Sequence, residues 1–532
     1  MRNHVTNIGV LSRFIMRRDR IRIPIWLIGI FVVTITVPPA LKKLYASQPE
    51  RNGLAETMDN PAMTAMVGPG NLSHYTLGAM SAHQMLLLTA VVAGLMSILL
   101  MSRHTRKDEE DGRMELIRSL PVGKLSPLNA TLLILTITHV ILALAVGFGL
   151  YALGIESMGM EGSLLYGAAL GGTGILFTGV TALFAQASEN ARNATGYAIA
   201  TLLVVYLVRA VGDVGDGILS WFSPLGWVTK TEVYSSNNWL PIMLLAAVSI
   251  ILFIIANYLN AIRDLGAGLI PSRPGRKRAS PLLQSSIGLF FRLQRTGIIA
   301  WGVGMLLLGV SYGSVLGDLD SFFEGNDMME QILLAEGDFS ITEQFLPIII
   351  MIASILATVP PVMAMLKLRS EEDKNRLDHL LSRVVSRNRL MGSFLLISVL
   401  NGLMMLLLPA LGLWAAGVTV MDEPFSLSTI MGATMVYYPA MLFMIAVSIC
   451  LIGFLPKYTG FVWFYVLYSF VVLYLGRLFQ LPEWVEKLTP FGYISKLPVE
   501  DTEVFPLIII CVIAVFLFIV GFVGYRRRDI EG

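Results

Sequence analysis

Charged residues are scarce in this sequence of 532 residues. Only 14% of the residues are Asp, Glu, Lys or Arg, whereas soluble domains carry about a quarter. Apolar residues make up 55% of the chain, and its mean hydropathy is +0.69. The net charge of +2 gives no basis for nucleic-acid binding. This composition indicates a chain that lies mostly in lipid.

Cysteine and histidine are too sparse to suggest a metal centre. The two cysteines, Cys450 and Cys511, lie in apolar runs and are predicted to be buried small hydrophobic residues. His74, His83 and His139 lack metal-ligand spacing. The sequence has no G-x-x-x-x-G-K-[ST] phosphate-binding loop, so we expect no ATP hydrolysis, cofactor or metal in this chain and do not predict an enzyme.

Long apolar runs are the main feature that is present. A helix needs about 20 mostly apolar residues to cross a bilayer. Runs of this kind occur at 23–41, 84–102, 127–153, 163–186, 195–212, 239–261, 296–316, 344–366, 389–417, 427–454, 460–476 and 504–524. None of these runs contains Asp or Glu. The sequence therefore predicts an all-α membrane protein with twelve transmembrane helices.

The distribution of Lys and Arg predicts the orientation. With the N-terminus inside, 31 of the 39 basic residues fall in inside segments and 7 in outside segments. Cytoplasmic loops carry the excess of basic residues in membrane proteins. Both termini are therefore predicted to be cytoplasmic.

Several segments occur twice in the same order, which indicates two parallel six-helix repeats. The paired segments are 14–26 with 290–301, 108–124 with 371–387, 205–209 with 473–477, 223–230 with 489–496, and 263–266 with 528–531. The predicted domains are a first half over 1–270, a basic Pro/Gly-rich cytoplasmic linker over 271–284 and a second half over 285–532. The linker's charges are expected to be solvated or to face lipid headgroups.

The loop after the second span of each half has the pattern of a short amphipathic helix. Thr105 and Ser370 each stand three residues before an aspartate, as in a capping box, and further acidic residues adjoin it. Helices are predicted over 108–120 and 371–385, with Glu109 paired to Arg113 and Glu372 to Arg376. Such a helix either lies on headgroups or docks a cytoplasmic protein. Because the inner leaflet is itself negative, the acidic residues favour docking.

The first of these loops resembles the coupling segment of ABC-2 type permeases. The matching residues are Arg106, Glu109, Glu110, Gly112, Glu115 and Pro121. The whole chain resembles the twelve-span permeases known as exporters of polyketide antibiotics, of the tetronasin-resistance type. The second loop departs from the pattern, with Asn375 and Val384 in place of the Gly and Pro. In this family a basic amphipathic helix precedes the first span, and residues 8–22 are the expected counterpart.

The resemblance implies partners and docking residues. Two copies of a separate cytoplasmic ABC ATPase would bind ATP and Mg and would drive transport. The residues expected to contact them are Glu109, Glu110, Arg113, Glu115, Arg118, Glu371, Glu372, Asp373, Arg376 and Asp378.

A possible outer gate is formed by Arg209, Arg477, Pro224 and Pro490. The two arginines lie near the outer ends of the fifth span of each half. They either snorkel to the outer surface, with Asp213 or Glu483 as partners, or contact a gate or an anionic ligand. The two prolines lie in segments that suggest broken or re-entrant helices.

The function expected from these features is that of a permease in the bacterial plasma membrane that exports hydrophobic or amphiphilic compounds, such as antibiotics. Substrate-contacting residues are not predicted. One alternative is an ion-gradient-driven carrier, which the lack of acidic residues in the spans disfavours. Others are an exporter of a lipid or cell-envelope precursor and a membrane-embedded scaffold or enzyme.

Overall fold

The computed structural model describes residues 5–58, 61–270, 278, 280–318, 341–373, 376–377, 385–421, 423–475 and 482–529. Over these residues the chain is helical, without a β-strand. It divides into two compact units, Met1–Pro274 and Gly275–Gly532. We refer to them as unit 1 and unit 2.

Unit 1 combines six long apolar helices with several shorter ones. Its helices are α1 (Ile8–Arg18), α2 (Arg22–Leu44), α3 (Gln48–Met58), α4 (Pro61–Val67), α5 (Leu77–Glu110), α6 (Arg113–Arg118), α7 (Ser126–Tyr151), α8 (Met160–Ala187), α9 (Ala191–Val214), α10 (Pro224–Thr229) and α11 (Leu240–Ile262). Near its end, α5 contains a π-helical turn at Arg103–Lys107.

Unit 2 is built from six apolar helices over its described residues. They are α12 (Ser286–Val315), α13 (Thr342–Glu372), α14 (Arg387–Val420), α15 (Leu427–Phe454), α16 (Phe461–Leu475) and α17 (Val504–Arg527). Two short elements, Glu483–Glu486 and the 3-10 turn Pro490–Tyr493, lie between α16 and α17.

Eleven helices in the described part of the chain are long and apolar enough to cross a membrane. This confirms the prediction of an all-α membrane protein. The predicted run 460–476 contains only the shorter apolar helix α16, which has 15 residues. Twelve spans, the repeat relationship and the orientation of the termini therefore stay predictions, as do the domain limits.

The core of unit 1 lies around α5 and α8. In the most apolar stretch of each helix, 67% of the residues of α5 and 72% of those of α8 are buried. In α2 and α11 only 17% are buried, and both helices expose apolar side chains. Glycines let α8 approach α7 closely, because a Cβ at Gly167 would stand 2.0 Å from the carbonyl oxygen of Ala143. Close backbone contact thus holds α8 against α7, and α2 and α11 lie at the periphery of the unit.

Candidate functional site

The predicted capping boxes are wrong in both units. Thr105 lies inside α5, where its hydroxyl donates to the carbonyl oxygen of Met101 at 2.6 Å. Ser370 likewise lies inside α13, which runs on to Glu372. The acidic residues therefore stand at the C-terminal ends of long helices, where the helix dipole disfavours negative charge. Other groups must compensate for that charge.

In unit 1, buried arginines supply this compensation around Glu109. Arg263, just after α11, bonds both carboxylate oxygens of Glu109 at 3.0 Å. Arg106 donates to Glu109 at 2.6 Å, and the backbone N–H of Gly266 donates to it at 2.7 Å. Arg106 also donates to the carbonyl oxygen of Ala267 at 2.8 Å. We call Arg106, Glu109 and Arg263 the unit 1 clamp, since it ties the end of α5 to the end of α11.

The same arrangement occurs in unit 2. Glu372, at the end of α13, accepts a hydrogen bond of 2.6 Å from Arg528, just after α17, and Arg369 lies 3.3 Å from the same oxygen. We call Arg369, Glu372 and Arg528 the unit 2 clamp. In both units the carboxylate is largely buried, and bidentate or paired arginine contacts of this kind are strong.

The arginines predicted to pair with the clamp glutamates pair with their neighbours instead. Arg113 contacts Asp108 at 2.7 Å rather than Glu109. Arg376 contacts Glu371 at 3.3 Å rather than Glu372. The predicted i,i+4 pairs are wrong because each acidic pair ends a helix, and the chain turns before the arginine is reached. In unit 1 the turn is made by Gly112, whose φ of +71° lies in the left-handed region.

A second ion-pair group attaches α1 to the end of α5. Arg18 forms two hydrogen bonds to Asp108, and the fully buried Asp19 bonds His104. Burial raises the pKa of Asp19, but the hydrogen bond from His104 and the attraction of Arg22 and Arg18 outweigh this effect, so its pKa is lowered. The apolar face of α1 packs on α7. The prediction of an amphipathic helix before the first span is thus confirmed, as a separate helix over Ile8–Arg18.

The short helix α6 replaces the longer helix predicted over 108–120. Met114 faces inward, whereas Glu115 and Leu116 are exposed, and Leu116 is 72% accessible. Leu120, just beyond α6, is 59% accessible. These two leucines are exposed apolar side chains on the loop that begins at the unit 1 clamp.

The remaining predicted docking residues have varied surroundings. Glu110 is exposed and accepts from the backbone N–H of Ala191 at 2.6 Å, at the start of α9. Arg118 is half-buried, and Glu371 is buried. Asp373 is exposed and pairs with Arg369 at 2.8 Å. Arg376 is also exposed, and Asp378 lies outside the described residues.

The predicted outer gate contains a buried ion pair. Arg209 is fully buried, so the prediction that it snorkels to the surface is wrong. Its predicted pairing with Asp213 is confirmed, at 3.2 Å. Because α9 extends to Val214, this carboxylate lies on a candidate spanning helix, one residue beyond the predicted run 195–212. Arg477 lies outside the described residues.

Both gate prolines open short helical turns. Pro224 begins α10 after Ser223, whose hydroxyl accepts from the backbone N–H of Gly226 at 3.4 Å. Pro490 follows Thr489, whose hydroxyl caps the next turn in the same way. Both elements are short helical segments, and their interpretation as broken or re-entrant helices stays a prediction. A gating role for them stays a prediction.

Sequence reasoning missed Asp19, His104, Arg106, Arg263 and Arg528 as parts of this site. Arg106 matches the ABC-2 pattern, but the sequence alone does not indicate its buried contacts. The paired segments 263–266 and 528–531 contained a usable signal, because each places one arginine at the end of the last helix of its unit. The described residues contain no group of three or more His, Cys, Asp or Glu that could hold a metal. The two cysteines are free and half-buried, less buried than predicted.

These features define a multi-pass all-α membrane protein whose long helices are tied together at one end by buried ion pairs. The family is shown by comparison with known proteins. The family model described as "Multidrug efflux system permease Rv1217c, C-terminal domain" matches residues 12–259 and 283–526, and the chain belongs to this family. It is 34% identical over 527 residues to the multidrug efflux system permease protein Rv1217c of Mycobacterium tuberculosis, covering 98% of this chain and 95% of that protein.

Proposed function

We propose that this chain is the membrane subunit of an ATP-driven exporter of the ABC-2 type. It resides in the bacterial plasma membrane with both termini and both clamps at the cytoplasmic face. It moves hydrophobic or amphiphilic drugs outward, and two copies of a separate ATPase supply the energy. The family name supports drug efflux as the activity. The sequence contains no phosphate-binding loop, which supports a separate ATPase.

The observation that carries this proposal is the presence of a clamp in each unit. Both clamps join the end of the second apolar helix of a unit, where the loop that we call the docking loop begins, to the residue just after the last helix. A buried, multiply bonded ion pair holds its partners in one geometry, because breaking it leaves an uncompensated charge. A force applied to either loop is thereby transmitted to two helices rather than to a flexible connector.

The docking surface in unit 1 comprises Glu115, Leu116 and Leu120. All three are exposed at the tip of the loop that the clamp holds. In unit 2, Asp373 and Arg376 are the exposed predicted docking residues. Glu109 and Glu372 hold the start of each loop through their arginine pairs, and they do not contact the ATPase. This division of roles replaces the prediction that all the acidic residues meet the partner.

Transport then follows from a change in the ATPase dimer. Closure of two ATPases around ATP moves the two docking loops, and each clamp passes that movement to its helices. The drug must bind the inward and outward states with different affinity, since otherwise the cycle moves nothing. Apolar packing between helices can provide this difference without an ionisable group.

Co-purification with the ATPase tests the proposal. A cytoplasmic ABC ATPase from the same genome, as the proposed partner, is co-expressed with tagged permease carrying Glu115→Lys or Leu116→Asp. Both variants should lose most of the bound ATPase while the permease stays monodisperse in detergent. The matched control is Glu56→Lys, which alters another exposed glutamate, on α3. Retention of the ATPase by both docking variants would refute the proposed surface.

A further inference from the structure

A cleft rich in positive charge lies beside the unit 1 clamp. It is formed where α7, α8 and α11 meet the docking loop of unit 1, around α6, and it is open to solvent on one side. Arg118, Lys124 and Arg263 line it, with Glu109 as the one carboxylate in its lining. Glu109 and Arg263 are paired with each other in the clamp, so Arg118 and Lys124 give the cleft its surplus of positive charge.

The donors in this cleft are incompletely used within the described part of the chain. Arg118 has a buried Nε without a hydrogen-bond partner there, and so does Arg263, which is only 8% exposed. Lys124 has one such bond, of 2.7 Å, to the carbonyl oxygen of Ala261. Buried donors are normally paired, so the two unpaired Nε atoms of Arg118 and Arg263 in the lining of one cleft favour an acceptor there.

The electrostatics point in the same direction. Burial lowers the pKa of Arg118, and repulsion from Arg263 lowers it further against the attraction of Glu109. A lowered pKa means that the charged guanidinium is disfavoured in its surroundings, and a nearby anion would stabilise this charged form. Arginine and lysine together are the usual ligands of phosphate groups.

The position of the cleft indicates where the phosphate comes from. The helices α8 and α11 end at the cleft, with Ala185 and Asn260 in its wall, and the end of a spanning helix lies at headgroup depth. On α11, Tyr258 and Ile262 are 65% and 56% accessible and face outward. Acyl chains can lie along this exposed apolar face while a phosphate occupies the cleft.

We propose that Arg118, Lys124 and Arg263 form a phosphate site that binds the headgroup of an anionic phospholipid. Basic pockets between helices at the cytoplasmic face are a recognised form of lipid site. A bound headgroup would brace the docking loop, because Arg118 ends α6 and Arg263 belongs to the clamp. The site does not depend on the ATPase, so it can be tested on the permease alone.

Lipid titration of the delipidated full chain in detergent tests this site. Native mass spectrometry measures binding of short-chain phosphatidylglycerol, with phosphatidylcholine of the same chain length as the zwitterionic comparison. The wild type should bind phosphatidylglycerol in preference. Arg118→Gln and Lys124→Gln should each weaken binding about fivefold, as expected for removal of one cation near a lipid phosphate. Arg118→Lys should retain most of the binding.

The matched control is Arg192→Gln, which removes an exposed cation at the start of α9, outside the cleft. It should bind phosphatidylglycerol as the wild type does. Inorganic phosphate is then added as a competitor. Competition at millimolar phosphate would support the same site with free phosphate as its ligand, and no competition would support the lipid. Equal binding of both lipids by the wild type, or unchanged binding by both glutamine variants, would overturn the proposal.

Discussion

Arg209 and Asp213 lie one turn apart on α9, and their fully buried side chains form an ion pair of 3.2 Å. The guanidinium also donates to the carbonyl oxygens of Ala65 and Met66 at the end of α4, at 2.5 and 3.4 Å. A cation at a helix C-terminus is favoured by the helix dipole. Arg209 therefore fastens α4 to α9, and Asp213 balances its charge.

We expect Arg209→Ala to destabilise the protein by about 3–5 kcal/mol, because it leaves Asp213 buried without a partner. The double variant Arg209→Met/Asp213→Leu should be less damaging, since it removes both charges and keeps the volume. Thermal unfolding in detergent measures both effects. Arg192→Ala, at an exposed position of the same helix, should have little effect. A single variant no worse than this control would contradict the fastening role.

Gly167 tests the close packing of α7 and α8. A Cβ at this position would stand 2.0 Å from the carbonyl oxygen of Ala143, so Gly167→Ala must push the two helices apart. The expected loss is about 1–3 kcal/mol, the usual range for overpacking. At Gly196 on α9 a Cβ meets nothing within 4 Å, and Gly196→Ala should be neutral or slightly stabilising. Equal melting temperatures for the two variants would argue against the contact.

Removing the acceptor of the unit 1 clamp should destabilise unit 1. Glu109→Gln leaves the guanidinium groups of Arg106 and Arg263 buried without their counter-charge, and we expect a loss of about 3–5 kcal/mol. Glu372→Gln should act likewise in unit 2. Glu56→Gln, at an exposed glutamate, is the control. Thermal unfolding distinguishes them, and a Glu109→Gln protein as stable as the control would exclude a structural clamp.

The attachment of α1 should weaken in acid. The pKa of Asp19 in the folded protein lies below its ordinary value of 3.8, so the ionised form stabilises the fold at pH values above this. That stabilisation is lost as the pH falls through the lowered pKa. A nitroxide spin label at position 16, which is exposed on α1, should become more mobile as the pH drops below about 4. Asp19→Asn should show high label mobility already at neutral pH, and a label unaffected by either change would refute this attachment.

The apolar helices were predictable because a span requires a long apolar run, and this signal is local. Every predicted run lies within or closely overlaps a described helix. The ends were harder to predict, since a helix that leaves the lipid no longer needs apolar residues. For this reason α5 continues through the charged segment to Glu110, and Thr105 looks like a cap although it lies inside the helix.

The clamps could not be read from sequence spacing. Arg263 and Glu109 are 154 residues apart, and Arg528 and Glu372 are 156 apart, so only the folded chain brings them together. Local spacing instead favoured Glu109 with Arg113, a pair that the turn at Gly112 prevents. The acidic loops were found from the sequence, but which of their residues face inward depended on tertiary contacts.

The source of energy is the central claim, and reconstituted transport tests it most directly. Purified permease is placed in liposomes with and without the proposed partner ATPase, and uptake of a fluorescent hydrophobic drug is followed. We expect transport only with the ATPase and ATP, and little of it from the Glu115→Lys permease. Drug accumulation by the permease alone on a proton or sodium gradient would contradict the account.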